Sequence, residues 1–592
     1  MRKGIVFFLL SIACIIHAQE INFKITPNSV LKGIEKKQIE NNLCVYTFNF
    51  AVDSLKQGID VEWEKPVDNM HSFWSPRGIG WIRWSSRVLS SYATSDSPVI
   101  SYMDNSDNNK FTFALSDALN SINISSGVVE ETAMLKTIVN ITPETFWGKK
   151  TYSISLRVDQ RNTPYWKSLQ ETSDWWAKFN NYKALDVPEV AKRPMYSTWY
   201  SFHQLLDTKT VIENCRIAKK YGCEAVIVDD GWQTLDNNRG YRFTGDWKPK
   251  RIPNMKAFAD SIHQLGMKIM VWYSVPFVGD KSEAYKRFEG KFLSYQDRRG
   301  VGVLDPRYPE VREYLIDTYV KALKNWGIDG FKLDFVDNFK ANNNDDYKQG
   351  MDFRNVYEAT DKMLMDITAA LKSVNNNILI EFRQSYVGPL MRKYGNMFRA
   401  SDCPYSANEN RIKTTNVRLL AGSTATHADM IMWHPEESAE VAALQLLNVM
   451  FAVPQISVRL DNYPQRHNDM LKFWLGFWNK NRDALVNGKF EAHSPIFNYP
   501  LLVGKTDRKM VAGVYLSNTV VDINNDSDNF SEIFVINATG NKKIIVNSKK
   551  AATYIYKTYD CIGNVLSKNT IKLIGIHEFN VPESGLLELR LK

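Results

Sequence analysis

Residues 330–339 read GFKLDFVDNF, and three of them, Lys332, Asp334 and Asp337, put charge at the end of a run that otherwise has the composition of a buried strand. Asp and Lys are poor strand residues and costly to bury, so their presence there asks for a reason. One reason is a buried ion pair that fixes strand register, although such pairs are poor stabilisers beside apolar residues of similar size. The other is a strand that delivers a catalytic carboxylate into a pocket. A second stretch, VDDGWQ at 228–233, sets Asp229, Asp230 and Trp232 together. Adjacent carboxylates repel each other, and their gain would be bidentate hydrogen bonding to neighbouring sugar hydroxyls while the indole packs on the ring. The plainer reading is an aspartate capping the next helix beside a glycine turn, for which one Asp suffices.

The elements that must position these residues follow from periodicity. Short apolar runs alternate with helical patterns: PMYSTWYSF and a helix near 207–221, AVIVDDGW and one near 254–265, KIMVWYSV and one near 309–326, GFKLDFVD and one near 350–373. The alternation continues with NILIEFRQ and a short helix near 387–394, MFRASD and 408–421, HADMIMWH and 436–449, PQISVR and 467–480. Eight such units predict a (β/α)8 TIM barrel over residues 190–484. Upstream, CVYTFNFAV, KFTFALSD and TYSISLRVD alternate with period two between Asn, Asp, Ser and Gly clusters, which predicts an N-terminal antiparallel β-sandwich over 19–185. MVAGVYLS, EIFVIN and GLLELRLK return to that pattern and predict a small C-terminal β-sandwich over 485–592. The fold class is therefore multidomain, with a central barrel.

A barrel of this kind gathers its active site at the C-terminal ends of the strands, so polar residues there form one ring however far apart they lie in sequence. In strand order the ring is Trp199 and Tyr200; Asp229, Asp230 and Trp232; Trp272 and Tyr273; Lys332, Asp334 and Asp337; Glu381 and Arg383; Arg399 and Asp402; His427, Asp429, Trp433 and His434. It holds no serine elbow, glycine-rich phosphate loop or metal-ligand spacing. Carboxylates, basic groups and Trp faces suit glycoside hydrolysis, in which a retaining enzyme sets an ionised carboxylate about 5 Å from a protonated one across the anomeric carbon. On this reading Asp334 is the nucleophile, kept ionised by Lys332 on the same strand face. Asp402 is the acid and base, its proton affinity set by burial and by repulsion from Asp334. Asp337, further along where the chain leaves the strand, reads as structural.

DDGWQ, GDWKPKRIPNMKAFADSIHQLGMKIMVWY, DGFKLDF and FRASDCP, in this order at successive strand ends, resemble glycoside hydrolase family 36, the melibiase-type α-galactosidases. The flanking sandwiches match that family's layout, so the resemblance covers nearly the whole mature chain and is strongest over 195–405. It implies a retaining mechanism on terminal α-linked galactose, with Asp334 of the Lys-x-Asp motif as nucleophile and Asp402 of the Ser-Asp motif as acid and base. It also implies that Asp229 and Asp230 hold the 4- and 6-hydroxyls, that Lys332 contacts the sugar, and that Arg399 orients it. Trp199, Trp272 and Arg383 join the expected substrate contacts through their places in the ring. The chain departs from the family at Leu333, where Trp is common, at WYSVPFVG, where a Glu-Pro-Glu segment is common, and at Cys403 and Pro404 after the acid. These changes surround the sugar pocket and bear on glycone choice more than on mechanism. Variants on the same barrel are an α-N-acetylgalactosaminidase, an α-glucosidase or a transglycosylase. A carbohydrate-binding protein that had lost activity would be free to lose either carboxylate, and both are present.

Composition bounds the rest. MRKGIVFFLLSIACIIHAQE has a basic start, an apolar run from Gly4 to Ile16 and Ala18, the pattern of a signal peptide over 1–18, so export to the periplasm or beyond is expected. That run is too short to span a bilayer, and no later stretch is long and apolar enough. Cys14 raises a lipid anchor, but Ser11 stands where such a signal has Leu and the apolar run continues past the cysteine. The remaining Cys44, Cys215, Cys223, Cys403 and Cys561 are odd in number and lack metal spacing, which reads as reduced core thiols. A formal charge of +9 with scattered Lys and Arg reads as a solvated surface and gives no case for nucleic acid. FVDNFKANNNDD, 335–346, is rich in oxygen ligands but lacks the glycine and spacing of a calcium loop, so a polar loop is expected and no metal or cofactor. The expected partner is a carbohydrate, and the load of 16 Trp, 27 Tyr and 30 Phe is compatible with sugar stacking as well as with aromatic cores.

Overall fold

A computed structural model describes residues 21–592 apart from 85, 343–345 and 524–529; the expected signal peptide, 1–18, and part of the 335–346 loop lie outside the described residues. The centre is a barrel of short parallel strands: β1 (Met195–Ser197), β2 (Ala225–Val228), β3 (Lys268–Ser274), β4 (Gly330–Asp334), β5 (Leu379–Arg383), β6 (Met397–Arg399), β7 (Ala425–His427) and β8 (Gln455–Ile456). They pair in the order β7-β6-β5-β4-β3-β2-β1-β8, and a parallel bridge between His427 and Val453 brings the two ends of the sheet together.

Alternation along each strand sorts the side chains into two separate cores. Val226, Val228, Val271, Phe331, Leu333, Ile380, Phe382 and Phe398 face outward into the large core beneath the helices. Met195, Ala225, Ile227, Met270, Leu379, Met397 and Ala425 form a separate small cluster with Ala191, at the starts of the strands. Two residues further along the same faces come Asp229, Trp272, Glu381, Arg399 and His427, so each inward row changes from apolar to polar toward the C-terminal ends.

The covering helices start and stop where local chemistry says they should. Asp207 caps α1 (Thr208–Lys220) by accepting from Thr210 N, and Asn254 caps α2 (Met255–Gln264) by accepting from Ala257 N. Helix α3 (Pro309–Trp326) begins on proline and ends at Gly327, whose φ of 67° closes it in the left-handed conformation. Asn355 caps α4 (Val356–Val374), followed by α5 (Ala407–Ala421), then α6 (Ala439–Leu447), capped by Ser438, and α7 (Gln465–Leu485). The short helix expected near 387–394 is only a 3-10 turn, Met391–Lys393. Pro389 and Gly395 bracket it, and the N-terminal domain occupies the space beside it. The expected first run is strand only to Ser197 and then makes a helical turn, Trp199–Phe202. Between β3 and α3 the chain inserts a three-stranded antiparallel sheet, Phe277–Gly279, Phe292–Gln296 and Val301–Leu304.

Upstream, five- and seven-stranded antiparallel sheets share one core that includes Phe48, Phe50, Trp63, Phe113 and Leu135. Downstream lies an eight-stranded sheet with the long hairpin Lys543–Tyr559 and Val565–Asn580. Buried hydrogen bonds tie the three parts together: Trp74 Nε1 donates to Asn416 Oδ1 of α5 at 2.9 Å, and the Tyr499 hydroxyl donates to the same oxygen at 2.6 Å. All five described cysteines are buried free thiols.

The N-terminal domain also reaches the barrel mouth. Asp96 N donates to Ser385 O at 2.8 Å, and a Cβ on Gly388 would sit 2.3 Å from Asp96 O. Backbone meets backbone there, so no side chain can move aside. Gly388→Ala should destabilise the chain by about 1–3 kcal/mol through this overpacking, read as a lower urea midpoint. An unchanged midpoint would show that the domain is not seated on the β5 loop in this way.

Candidate active site

The β4 strand presents Lys332 and Asp334 on its inward face, and their partners come from across the barrel. Asp334 accepts four hydrogen bonds. Its Oδ1 takes Arg383 Nε at 2.9 Å, Phe335 N at 2.9 Å and the Tyr386 hydroxyl, while Oδ2 takes Trp272 Nε1 at 3.0 Å. Burial alone would raise its pKa, but Arg383, then Lys332, then the Trp272 and Tyr386 donors outweigh it and hold the carboxyl well below the usual carboxylate range. The next residue, Phe335, has a φ of 65°, which a bulky side chain rarely adopts. That turn aims the Phe335 amide at the carboxylate.

Lys332 is not Asp334's direct partner, contrary to the reading from their spacing. Its Nζ lies 2.6 Å from Asp229 Oδ2 and both groups are buried, so Lys332 acts on Asp334 at longer range and Arg383 makes the ion pair. The same-face spacing is right, but a lysine is long enough to cross to the neighbouring strand end.

Asp229 and Asp230 are both buried. Asp229 Oδ1 accepts from Asp230 N at 2.9 Å, and Asp230 is gripped by Gln204 Nε2 at 2.9 Å and Gln233 Nε2 at 2.6 Å. Burial pushes Asp230 up to about 6, with its neighbour Asp229 adding to the rise against the two amides. Gly231 makes this close fit possible: its φ is 118°, and a Cβ would meet Gln204 Cα at 2.6 Å.

On the far side stands Arg399, wholly buried, with its guanidinium 2.9 Å from Asp402 Oδ1, 3.5 Å from Glu381 Oε1, and against Asp429 Oδ1. Asp429 in turn accepts from the Tyr200 hydroxyl at 2.8 Å and Cys403 N at 2.7 Å, which fixes the backbone just after Asp402. The Asp402 side chain is 48% exposed, the open carboxyl of the ring. Its proton affinity was expected to be high. Burial and Asp334 do push its pKa up, but Arg399, Lys332 and Arg383 together hold it below the ordinary value.

Other expected site residues take different places. Trp232 has no exposed surface: its ring packs on Trp247, Tyr273 and Trp326, and its Nε1 donates to Trp272 O at 2.9 Å. It braces the wall and offers no face to a ring, which corrects the stacking role. Trp272 is likewise buried but works through its N–H on Asp334. Trp199 is half-buried at the mouth against His203. His427 is buried, with Nε2 on Ala191 O and Nδ1 facing Gln455, and burial lowers it to about 4. Trp433 bonds His467, and His434 is exposed. Asp337 is half-buried and its carbonyl accepts from Tyr92 of the N-terminal domain. Sequence reasoning missed Tyr386, Gln204, Gln233 and Tyr241, the last stacked on Trp272 at 6.2 Å. Gln233 stood inside a quoted motif, and the others carry no local signal. Among the described residues no group of three or more His, Cys, Asp and Glu could hold a metal ion.

The sequence matches the family model "Melibiase" over residues 188–488. An α-galactosidase, Mel36A from Lactobacillus acidophilus, is 31% identical over 148 residues, 23% of this chain and 19% of that protein. A type blood α-D-galactosamine galactosaminidase from Flavonifractor plautii is 26% identical over 172 residues, 26% of this chain and 15% of its own length. The alignments thus span a fifth or less of these two relatives. A crystal structure of a variant of the GH36 α-galactosidase AgaA from Geobacillus stearothermophilus, solved in complex with stachyose, superposes with a TM-score of 0.65, covering 94% of this chain and 81% of that one at 14% identity. That likeness is one of fold. The family match takes in half of the chain, including the whole barrel and every carboxylate of the ring, and the chain therefore belongs to the melibiase family, glycoside hydrolase family 36.

Proposed function

We propose that this chain is an exported glycoside hydrolase that removes terminal α-linked galactose with retention, using Asp334 as nucleophile and Asp402 as acid and base. The observation that carries the reading is the contrast between two carboxyls in one ring: Asp334 buried and held ionised by four donors, Asp402 open to the mouth. Family membership supports the substrate class; export rests on the signal-like first residues.

Asp334 Oδ1 holds three of the four donors, which leaves Oδ2, with Trp272 alone, as the attacking oxygen. In the first step Oδ2 bonds to the anomeric carbon as Asp402 gives its proton to the glycosidic oxygen, and the aglycone leaves as an alcohol. In the second step Asp402 takes a proton from water, the water oxygen bonds to the anomeric carbon, and Asp334 is released. The charges around Asp402 suit this alternation. A sugar that covers its exposed half strengthens the burial that raises its pKa, alongside the Asp334 charge, and so favours the acid form. Once Asp334 is esterified its charge is gone, Arg399 dominates, and the base form is favoured. Asp229 and Asp230 offer acceptors for two hydroxyls, with Lys332 beside them as donor.

Asp334→Asn should lower turnover on the order of a thousandfold or more while galactose still binds; unchanged turnover would remove Asp334 from the nucleophile role. For Asp402→Ala the expected loss is about 100-fold or more on oligosaccharides and much less on activated aryl α-galactosides, whose leaving groups need little protonation. Equal losses on both classes would count against Asp402 as acid. A panel of aryl α-glycosides of galactose and N-acetylgalactosamine reads the glycone directly, since one relative is named for galactosamine. Cleavage of the N-acetylgalactosaminide alone would keep the mechanism and overturn the sugar.

Asp230 supplies a stability test. Its folded pKa of about 6 lies above the ordinary 3.8, so the folded state holds the proton more tightly and its contribution is lost as pH rises through that window. Asp230→Asn has no proton to lose there. Its urea midpoint should therefore gain on the wild type between pH 4 and about 6.5, by an amount on the order of 1 kcal/mol or more. Parallel pH curves for the two proteins would show that Asp230 is not raised.

A further inference from the structure

Directly after Asp402 the chain runs Cys403-Pro404-Tyr405-Ser406, and Ser406 N donates back to Cys403 O at 3.0 Å. Proline at the second place of this turn and a φ of 66° at the third, Tyr405, are the pattern of a type II turn. That third place suits glycine or asparagine, which reach the left-handed region at little steric cost. A bulky residue is strained there. Strain of this kind persists where the surroundings over-determine the conformation, and it gathers at functional sites.

The surroundings do fix Tyr405. Its carbonyl accepts from Gln445 Nε2 of α6 at 2.9 Å and from Ala407 N at 3.1 Å. Its hydroxyl donates to Glu437 Oε1, on the segment between β7 and α6, and the other oxygen of Glu437 accepts from His434 N at 3.3 Å. The tyrosine is thus held at its backbone and at its hydroxyl between the loops that follow β6 and β7, both on the rim of the mouth. Packing does not explain the residue, because 49% of it stays exposed. Among the described residues no other aromatic ring or cation is stacked on it.

Its place beside the acid gives the ring a use. On the mechanism proposed above, Asp402 protonates the glycosidic oxygen, so the leaving group begins at the exposed half of that carboxyl and must run outward over the rim. Three residues of chain reach at most about 11 Å, and the turn shortens the span further, which sets Tyr405 beside that path. We infer that the Tyr405 ring is a platform for the first sugar of the leaving group, and that the substrate is a galactosyl oligosaccharide or polysaccharide rather than the galactoside of a small alcohol. The inference rests on Asp402 being the acid. A pyranose presents a face of C–H groups that packs on an aromatic face, and a tyrosine already fixed at hydroxyl and carbonyl has little freedom left to lose when it is covered.

The test compares kcat/KM of the full mature chain on α-galactosyl fluoride, whose leaving group is an ion with nothing to stack, and on α-1,3- and α-1,6-linked galactosyl disaccharides. Tyr405→Gly removes the ring and keeps a residue that the turn favours. It should lower kcat/KM on the better disaccharide about tenfold or more and leave the fluoride within about twofold of wild type. Tyr405→Phe keeps the ring and should retain about a third or more of the wild-type value on the disaccharide. Equal losses on both substrates in Tyr405→Gly would overturn the platform and assign the effect to a displaced Asp402, since hydrolysis of the fluoride also needs that residue as base in the second step. A loss below about threefold on the disaccharide, or a wild type that cleaves the fluoride and neither disaccharide, overturns the platform and leaves Asp402 as acid standing. A wild type inert on all three removes the galactosidase reading, and the platform with it.

Discussion

A guanidinium with no exposed surface governs the upper half of this barrel. Arg399 gives up all of its hydration, and what replaces it is a set of three carboxylates from three places: Glu381 on β5, Asp402 after β6 and Asp429 after β7. Removing Arg399 would leave the three carboxyls without their shared cation in a poorly hydrated interior, which is costly in a way that loss of a surface pair is not. The strand ends are therefore locked by their chemistry as well as by their backbone ladder. Asp429 extends the lock to Tyr200 after β1 and to the Cys403 amide, so the carboxyl that faces the mouth is carried on a segment with little freedom.

The barrel makes this arrangement affordable by separating its two cores. Small and flexible apolar side chains fill the starts of the inward rows, and the polar groups begin only above them. The N-terminal domain closes the remaining side. Its Asp96 amide reaches the Ser385 carbonyl and its Tyr92 hydroxyl reaches the Asp337 carbonyl, one on each of the loops that follow β5 and β4. Those loops carry Tyr386 and Phe335, two of the four donors on Asp334. A sandwich with no carboxylate of its own in the ring thus helps to aim the ring's central one.

Much of this was legible in the sequence, because the fold does the gathering: once eight strand-and-helix units are counted, every charged residue at a strand end is a neighbour of the others. Asp229, Lys332, Asp334, Glu381, Arg383, Arg399, Asp402 and Asp429 were found that way. Which of them pair was not legible. Lys332 and Asp334 sit two apart on one face, yet lysine reaches Asp229 and aspartate takes Arg383, because partner choice is settled by side-chain length and strand stagger. Gln204 and Tyr386 lie in loops with no periodicity, and nothing in their surroundings marks them. Trp232 misled for the opposite reason, since a tryptophan beside two aspartates reads the same whether it faces a ligand or the core.

The protonation pattern follows from counting. The ring holds three cations, Lys332, Arg383 and Arg399, against seven carboxyls, Asp229, Asp230, Asp334, Asp337, Glu381, Asp402 and Asp429. With so few cations among buried and half-buried carboxyls, burial favours the neutral form wherever the nearby cations do not outweigh it. Burial raises Asp230, Glu381 and Asp429, whereas the guanidinium and ammonium groups hold Asp334 and Asp402 down. Proton affinity is thus shifted toward Asp230, Glu381 and Asp429 and away from Asp334 and Asp402, the proposed catalytic pair. Such a ring titrates as a unit, because taking a proton at one member changes the field at the rest. On the mechanism proposed above, covering Asp402 with a sugar or esterifying Asp334 would change the field that all of these carboxyls share.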